Sequence, residues 1–467
     1  MKRLSPRCLF WILWLIFFVA GAYVLWFGYG QRLFAYPAPG TDQKSILECA
    51  LGLVRGELPR DHYRYSYAYT LFLAFLALLS GGRLWLMRLL QLAVAALIPG
   101  IVFRTARILR CGRGPSFAAG LLPCFYAPLV LISLDFLRAA PLALAFALLA
   151  HTLAAFFFPL PRSPRRQRRL PIAAGICAAL CALGRENFLA LLPIPLLFLR
   201  RRDALRYLGA LFFPLAAVLC FNLLRYGSFQ LVPGNAGNIL SYYGGGSGGS
   251  FAALKNLVAA IPGHFADFCS SFEQPNSLSV YAHREIIPFL QLLAVPFPLL
   301  LTLGSLGAIL RRRERAFQAI ALMALFYLGS MLFFTVFYRF RIPLVPLLAI
   351  LAAGVAAPLK RRLRQRSYPA PAAIAAVLTA LNLLLWVDPE PRRTESEHAA
   401  VARLLIDNGR FAEAEAYLVR MMARGEAAGP GVNLLLREML RAGEAQQAEA
   451  VARRFSERRA AGCSRAE

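Results

Sequence analysis

The sequence predicts an all-α, polytopic transmembrane bundle followed by a small helical tail. Three observations carry that expectation. Hydrophobic residues make up 58% of the 467-residue chain and charged residues only 16%, with a mean hydropathy of +0.55; soluble domains lie nearer half apolar and a quarter charged. Many runs reach the roughly 20 mostly apolar residues that cross a hydrocarbon layer, and continuous apolar runs point to helices because a bilayer admits only helices or closed barrels. The formal net charge of +28 comes from basic clusters between those runs, around Arg104–Arg113, Arg165–Arg169, Arg200–Arg202, Arg311–Arg313 and Lys360–Arg364. That is the positive-inside placement of cytoplasmic loops, not a nucleic-acid surface.

The first apolar run, Leu9–Tyr29, follows Met1-Lys2-Arg3 and lacks a small-x-small cleavage site, so it is expected to be a retained signal anchor. Further spans are expected near 84–103, 117–134, 136–158, 170–184, 187–199, 205–225, 286–310, 316–337, 341–358 and 369–387. The total is about 11 to 12 spans of the length a bilayer asks for. Residues 65–80 are also apolar, but counting them as a full span puts the Arg104–Arg113 and Arg165–Arg169 clusters outside; a short interfacial or re-entrant helix keeps the charge rule. Residues 30–64, residues 226–285 and the tail from Asp388 then lie on the extracytoplasmic side. The nine cysteines show neither metal spacing nor a paired framework.

The membrane domain is expected to cover residues 1–388 and the tail 389–467. The tail is rich in Ala, Glu and Arg, and Gly409–Ala416 recurs as Gly443–Ala450 at an offset of 34 residues, the tetratricopeptide period. Glycine falls at a turn between helices, and alanines allow close packing. Two such units are fewer than the three usually needed, so the tail is expected to lean on other structure.

Acidic residues are scarce among the spans, and burying an unpaired charge is costly, so each is informative. Asp42, in Thr41-Asp42-Gln43-Lys44, stands where a loop becomes an amphipathic helix bearing Ile46, Leu47, Ala50, Leu51 and Val54 on one face. It reads either as an N-cap or as a general base for an acceptor hydroxyl. Asp135 lies near the outer end of its span, either as a second carboxylate beside Asp42 or paired with Arg138 one turn on. Arg185, in Gly184-Arg185-Glu186-Asn187, reads as a phosphate ligand or an interfacial cap. The loop that bears Asn235, Asn238 and Tyr242 has the amides, rings and glycines that suit a sugar, or a flexible loop. Arg339 and Arg341, in Tyr338-Arg339-Phe340-Arg341-Ile342-Pro343, sit at an outer boundary against the positive-inside trend, and their forks match phosphate oxygens.

Together these features resemble the GT-C glycosyltransferases that use polyprenyl-phosphate sugars, the protein O-mannosyltransferase and ArnT-like group. The likeness is carried by Asp42 before an amphipathic helix, by the Tyr65–Tyr69 entry leading to Arg83 and Arg88, by Asn222 with Gly227 and the Gly-Asn-rich loop, and by Arg339–Pro346; it spans residues 1–388. The resemblance implies a transferase that moves a sugar from a polyprenyl-phosphate donor to an acceptor hydroxyl on a glycan, lipid or protein. It places the chain in the inner (cytoplasmic) membrane, with the tail outside. It implies catalytic roles for Asp42 and Asp135, and substrate contacts from Lys44, Arg138, Arg185, Asn235, Asn238, Tyr242, Arg339 and Arg341. Gln43 and Lys44 stand where the family often has a second acid, so a divalent cation (magnesium or manganese) stays open, with Lys44 as a replacement charge. Two alternatives remain: an O-antigen ligase or polymerase using a large-loop pair such as His283-Arg284, and a non-catalytic transporter or scaffold.

Overall fold

The computed structural model describes residues 4–30, 33–34, 37, 41–57, 66–158, 164–227, 229, 231, 250–275, 280–333, 336–365, 369–387, 401–403, 405–406, 409–423 and 429–463. Among them every regular element is helical, and the sole extended pairing is a single antiparallel bridge, Tyr126 to Ala294. The chain divides into two compact units: residues 1–25, 36–276 and 292–387 form one, and residues 26–35, 277–291 and 388–467 the other.

The first unit runs α1 (Pro6–Gly30, of which residues 26–30 belong to the second unit), α2 (Asp42–Val54), α3 (Tyr67–Ser80), α4 (Leu84–Ala95), α5 (Leu97–Ile108), α6 (Arg113–Cys124), α7 (Ala127–Leu134), α8 (Ala139–Phe157), α9 (Pro164–Gly184) and α10 (Arg201–Tyr226). It continues with α11 (Ser250–Cys269) and, after α12 (Val280–Ile286) of the second unit, with α13 (Phe297–Leu310), α14 (Arg315–Met331), α15 (Val345–Ala352), α16 (Ala356–Arg364) and α17 (Pro369–Leu384). Among the described residues, five segments are long and apolar enough to cross a membrane: Pro6–Gly30, Leu84–Ile108, Ala139–Phe157, Arg201–Tyr226 and Tyr338–Arg361. Their outward faces are apolar too: Trp11, Leu15, Val19 and Trp26 project from α1 while Leu9, Leu13, Phe17 and Val24 are buried. A helix apolar all round needs a nonpolar surrounding.

Several expected spans are broken, and proline explains the breaks. The run 117–134 divides into α6 and α7 around Phe125-Tyr126, between Pro123 and Pro128. The run 286–310 begins with a 3-10 turn at Pro288–Gln291, and α13 starts only after Pro296. These two interruptions satisfy each other: the Val295 amide donates to the Phe125 carbonyl at 3.0 Å beside the bridge. Irregular backbone is tolerated in an apolar interior where protein supplies such partners. Residues 187–199 form 3-10 turns, Glu186–Leu191 and Ile194–Leu197, with Pro193 and Pro195 denying an α-helical ladder. Residues 67–80 form a helix of 14 residues, short for a span.

Helix α2 is set by its cap and its face. The Thr41 side chain accepts from the Lys44 amide at 3.4 Å, so Thr41 is the N-cap and the Asp42 carboxylate is spared that task. Ile46, Leu47 and Ala50 are buried against Tyr69, Leu73, Ala77 of α3, Met87 of α4 and Phe136. Val54, expected on that face, is exposed at the frayed end.

The second unit holds α18 (Phe411–Ala423), α19 (Gly429–Arg441) and α20 (Ala445–Cys463) with α12. The 34-residue repeat recurs in backbone geometry. Gly409 and Gly443 both take positive φ, 70° and 83°. The amides of Gly409 and Arg410 donate to Ile406 and Leu405, and those of Gly443 and Glu444 donate to Leu440 and Met439, the same bonds displaced by 34 residues. Ala414 and Ala448, Tyr417 and Val451, and Met421 and Phe455 occupy matching core positions. Ala282 of α12 joins that core, so a segment from the middle of the chain completes a unit that two repeats leave short.

In the first unit, α13 and α15 approach through glycine. A Cβ on Gly307 would lie 1.9 Å from the Leu351 carbonyl oxygen, an atom of backbone that cannot rotate away. Gly307→Ala is therefore expected to destabilise the protein by about 2 kcal/mol or more. Gly263→Ala in α11, where an added Cβ meets nothing within 4 Å, is expected to be neutral or slightly stabilising. Thermal unfolding of both purified variants in detergent checks the contrast.

Candidate functional site

The site grows from four chain segments of the first unit: the start of α2, the α7–α8 junction, the turn after α9, and the 3-10 turn Tyr338–Phe340. Arg339 Nη1 donates to Asp42 Oδ2 at 3.0 Å, joining residues 297 positions apart. The Asp42 side chain is 57% exposed and that of Arg339 19%, so the pair sits at a boundary, with its carboxylate open to an incoming group. One residue on, Gln43 Nε2 donates to Asp135 Oδ2 at 2.5 Å. The two sequence-expected carboxylates are therefore linked through adjacent residues of one helical turn.

Asp135 is buried and is held on every side. It ends α7, and the Phe136 amide donates to its Oδ1 at 2.9 Å. Gln91 Nε2 donates to the carbonyls of Asp135 and Ser133 at 2.6 and 3.0 Å, and Tyr69 Oη donates back to Gln91 Oε1 at 2.8 Å. Arg88 Nη1 donates to the Leu134 carbonyl at 3.1 Å, and its guanidinium lies 4.3 Å from the Phe136 ring centroid. Burial pushes the Asp135 carboxyl up to about 7, against the opposing pull of Arg88, the Phe136 amide and Arg339.

Three guanidiniums converge beside Asp42. Arg138 sits at the start of α8, and its Nη1 donates to the Gly184 carbonyl at 3.3 Å rather than to Asp135 one turn back. Arg185 is buried with its guanidinium 3.9 Å from the Phe340 ring centroid, a cation–π contact that holds a cation in a dry place. Arg339 lies 5.3 Å from the same ring centroid. Arg138 feels the positive charges of Arg185 and Arg339 together with the negative charges of Asp42 and Glu186. Like charges are thus gathered there, with the carboxylates of Asp42 and Glu186 among them.

The other expected site residues sit apart from this cluster. Lys44 pairs with Glu48 one turn on, at 3.6 Å. Arg341 is fully buried, and its fork is spent on structure: Nη1 donates to Glu273 Oε2 at 3.1 Å, Nη2 to the Asp267 carbonyl and, at 3.5 Å, to Ser270 Oγ. Tyr126 Oη donates to the other Glu273 oxygen at 2.8 Å. Arg341 thus anchors the segment that presents Arg339. Asn235, Asn238 and Tyr242 lie outside the described residues. Asn222 is buried and accepts from Tyr67 Oη, tying α10 to α3. Gln91 and Tyr327 were not anticipated; Tyr327 donates to the Phe340 carbonyl at 3.0 Å and so fixes the ring under Arg185. A lone amide in the apolar run 84–103 was the available signal for Gln91.

An apolar groove of about 850 Å³ opens beside Glu186 and Asn187, lined by Phe265, Leu325, Phe326 and Phe333. A divalent cation does not fit the acids present: Asp42 and Asp135 each accept from a donor, Arg339 and Gln43, and among the described residues no three His, Cys, Asp or Glu side chains converge.

Two outcomes follow. The neutral form of Asp135 contributes stability that is present below the ordinary carboxyl value near 4 and is lost as pH rises to about 7. Wild type is thus expected to lose thermal stability over that window relative to Asp135→Asn, measured on both proteins at each pH. Glu273→Ala, which strands Arg341, is expected to cost roughly 3–5 kcal/mol, whereas Glu273→Leu with Arg341→Met recovers most of it; unfolding in the same detergent measures both. Comparison of the chain with protein-family models, with curated proteins and with solved structures finds no match.

Proposed function

We propose that the protein is a membrane glycosyltransferase that moves a sugar from a polyprenyl-phosphate donor to an acceptor hydroxyl at the extracytoplasmic membrane face. The observation that carries this reading is the Asp42–Arg339 pair at 3.0 Å, with Arg138 and Arg185 beside it. Such a donor has a negative phosphate between a sugar and a long apolar chain. Its phosphate matches the forks of the guanidinium cluster. Its chain matches the apolar groove that begins at Glu186, the residue next to Arg185. Its reactive carbon then lies near Asp42.

Asp42 acts as the base. It takes the acceptor proton as the acceptor oxygen bonds to the anomeric carbon and the bond from that carbon to the phosphate oxygen breaks. The lipid phosphate leaves with the electron pair, and Arg138, Arg185 and Arg339 hold its charge. One displacement with one base inverts the anomeric centre. Asp135 serves through Gln43, which keeps the first turn of α2, and so Asp42, in place. The helical tail is a tetratricopeptide-like module for the acceptor side. A ligase or polymerase reading would rest on His283-Arg284, but α12 belongs to the second unit, and His283 is buried with its ring 6.2 Å from that of Phe34.

Asp42→Asn and Asp42→Ala are expected to lower transfer by at least about a hundredfold, the range for loss of a general base. Arg339→Lys keeps the charge, loses the fork, and is expected to raise the donor requirement more than it lowers the maximal rate. Mass-spectrometric glycan profiling of cells carrying each variant, with insertion checked by blotting, is the measurement. Normal glycans from a correctly inserted Asp42→Ala protein would reject the proposal.

A further inference from the structure

A second groove, of about 570 Å³, lies between α9 and α10. Its walls are Ile172 and Ile176 from α9 and Ala210, Phe213 and Pro214 from α10, and its floor opens at Gly209, where an added Cβ would meet nothing within 4 Å. The helices are locked together deeper down, where a Cβ on Gly175 would lie 2.4 Å from the Tyr207 carbonyl oxygen, so the groove is a fixed furrow between two packed rods. Its rim residues are apolar and outward: Ile172, Ile176 and Phe213 are 40%, 46% and 79% exposed. From residue 206 to residue 214 the groove covers about 12 Å of helix at 1.5 Å per residue.

Charge gathers at the ends where both helices begin. Arg168 and Arg169 precede Ile172 by about one turn, and Arg200, Arg201 and Arg202 precede Arg206 by about one turn; all five are exposed. Arg206 lines the groove itself, and its Nη1 is met by Asp203 at 2.9 Å. Asp203 is the one acid in the first turn of α10, set against the Arg200–Arg202 run. The basic starts of α9 and α10 are both cytoplasmic by the positive-inside pattern.

We propose that this groove binds an anionic phospholipid of the cytoplasmic leaflet, with one acyl chain along Gly209 and Phe213 and the phosphate among Arg200, Arg201, Arg202 and Arg206. The site lies away from the guanidinium cluster around Asp42 and does not depend on the transfer chemistry assigned there. An apolar furrow topped by four arginines and one acid, Asp203, selects a ligand with a chain below and a negative headgroup above. A zwitterionic lipid offers the chain without the net charge. A second copy of this chain would bring its own arginine run against this one, a like-charge contact that opposes pairing.

Native mass spectrometry of the full-length protein, released from detergent micelles with added phosphatidylglycerol or phosphatidylethanolamine, tests the proposal. Wild type is expected to retain phosphatidylglycerol at least about tenfold over phosphatidylethanolamine. The R200Q/R201Q/R202Q variant is expected to lose that preference, whereas K360Q/R361Q, which removes exposed cytoplasmic charge elsewhere, is expected to keep it. Gly209→Leu fills the furrow in open space and is expected to reduce adducts of both lipids. Equal retention of the two lipids by wild type overturns the proposal. So does a loss of preference in the K360Q/R361Q control equal to that in the arginine variant, or a dimer that Gly209→Leu abolishes.

Discussion

A guanidinium inside a nonpolar interior must meet an acid, a carbonyl or a ring, and the segment 338–341 is organised by that requirement. Arg341 points inward to Glu273, whose other oxygen is taken by Tyr126 at the break between α6 and α7. Two residues earlier, Arg339 points to the boundary and meets Asp42. The alternation follows from a short 3-10 turn, in which nearby side chains leave in different directions. One buried ion pair therefore fixes the backbone that carries the exposed one. Because a stranded buried charge costs several kcal/mol, the position of Arg339 is far better defined than a boundary arginine on a loop.

The sequence disclosed the all-α class and most of the apolar helix locations because hydropathy is a local property, summed along the chain. It singled out Asp42, Asp135, Arg138, Arg185 and Arg339 because charges are rare among apolar runs. It did not disclose how Arg339 and Arg341 differ. Both stand in one motif at one boundary, and only the remote partners, Asp42 for one and Glu273 for the other, separate their roles. The N-cap of α2 shows the same limit at short range: Thr41 and Asp42 are both good capping residues, and the hydroxyl at position 41 takes the Lys44 amide. The broken spans could be read from their prolines, but not the pairing of one break with the other, because Phe125 and Val295 are 170 positions apart in a fold that brings them to 3.0 Å.

The tail repeat was legible for the opposite reason. Its turns depend on a single glycine with positive φ, a strictly local demand, so the same residue recurs at Gly409 and Gly443 with the same pair of backbone bonds. What the repeat could not announce is the extra helix. Two hairpin-like units expose a face that must be covered, and α12, from the middle of the chain, supplies Ala282 to that core. The connection ties the tail unit to the chain segment that leads into α13.

The cluster around Asp42 differs from an ordinary structural ion-pair network in its gathered like charges and its support. Like charges are brought together here: Arg138 feels the positive charges of Arg185 and Arg339 as well as the negative charges of Asp42 and Glu186. The mutual repulsion of the cations is offset by cation–π contact with Phe340 and by the Gly184 carbonyl, neither of which cancels charge. Tyr327 holds the backbone that carries that ring through the Phe340 carbonyl. The guanidiniums are thus held in place before any ligand arrives, and an incoming anion meets them without the cost of gathering them. On the proposed reading, this cluster receives the charge of the departing phosphate, and the half-exposed carboxylate of Asp42 beside it is the base.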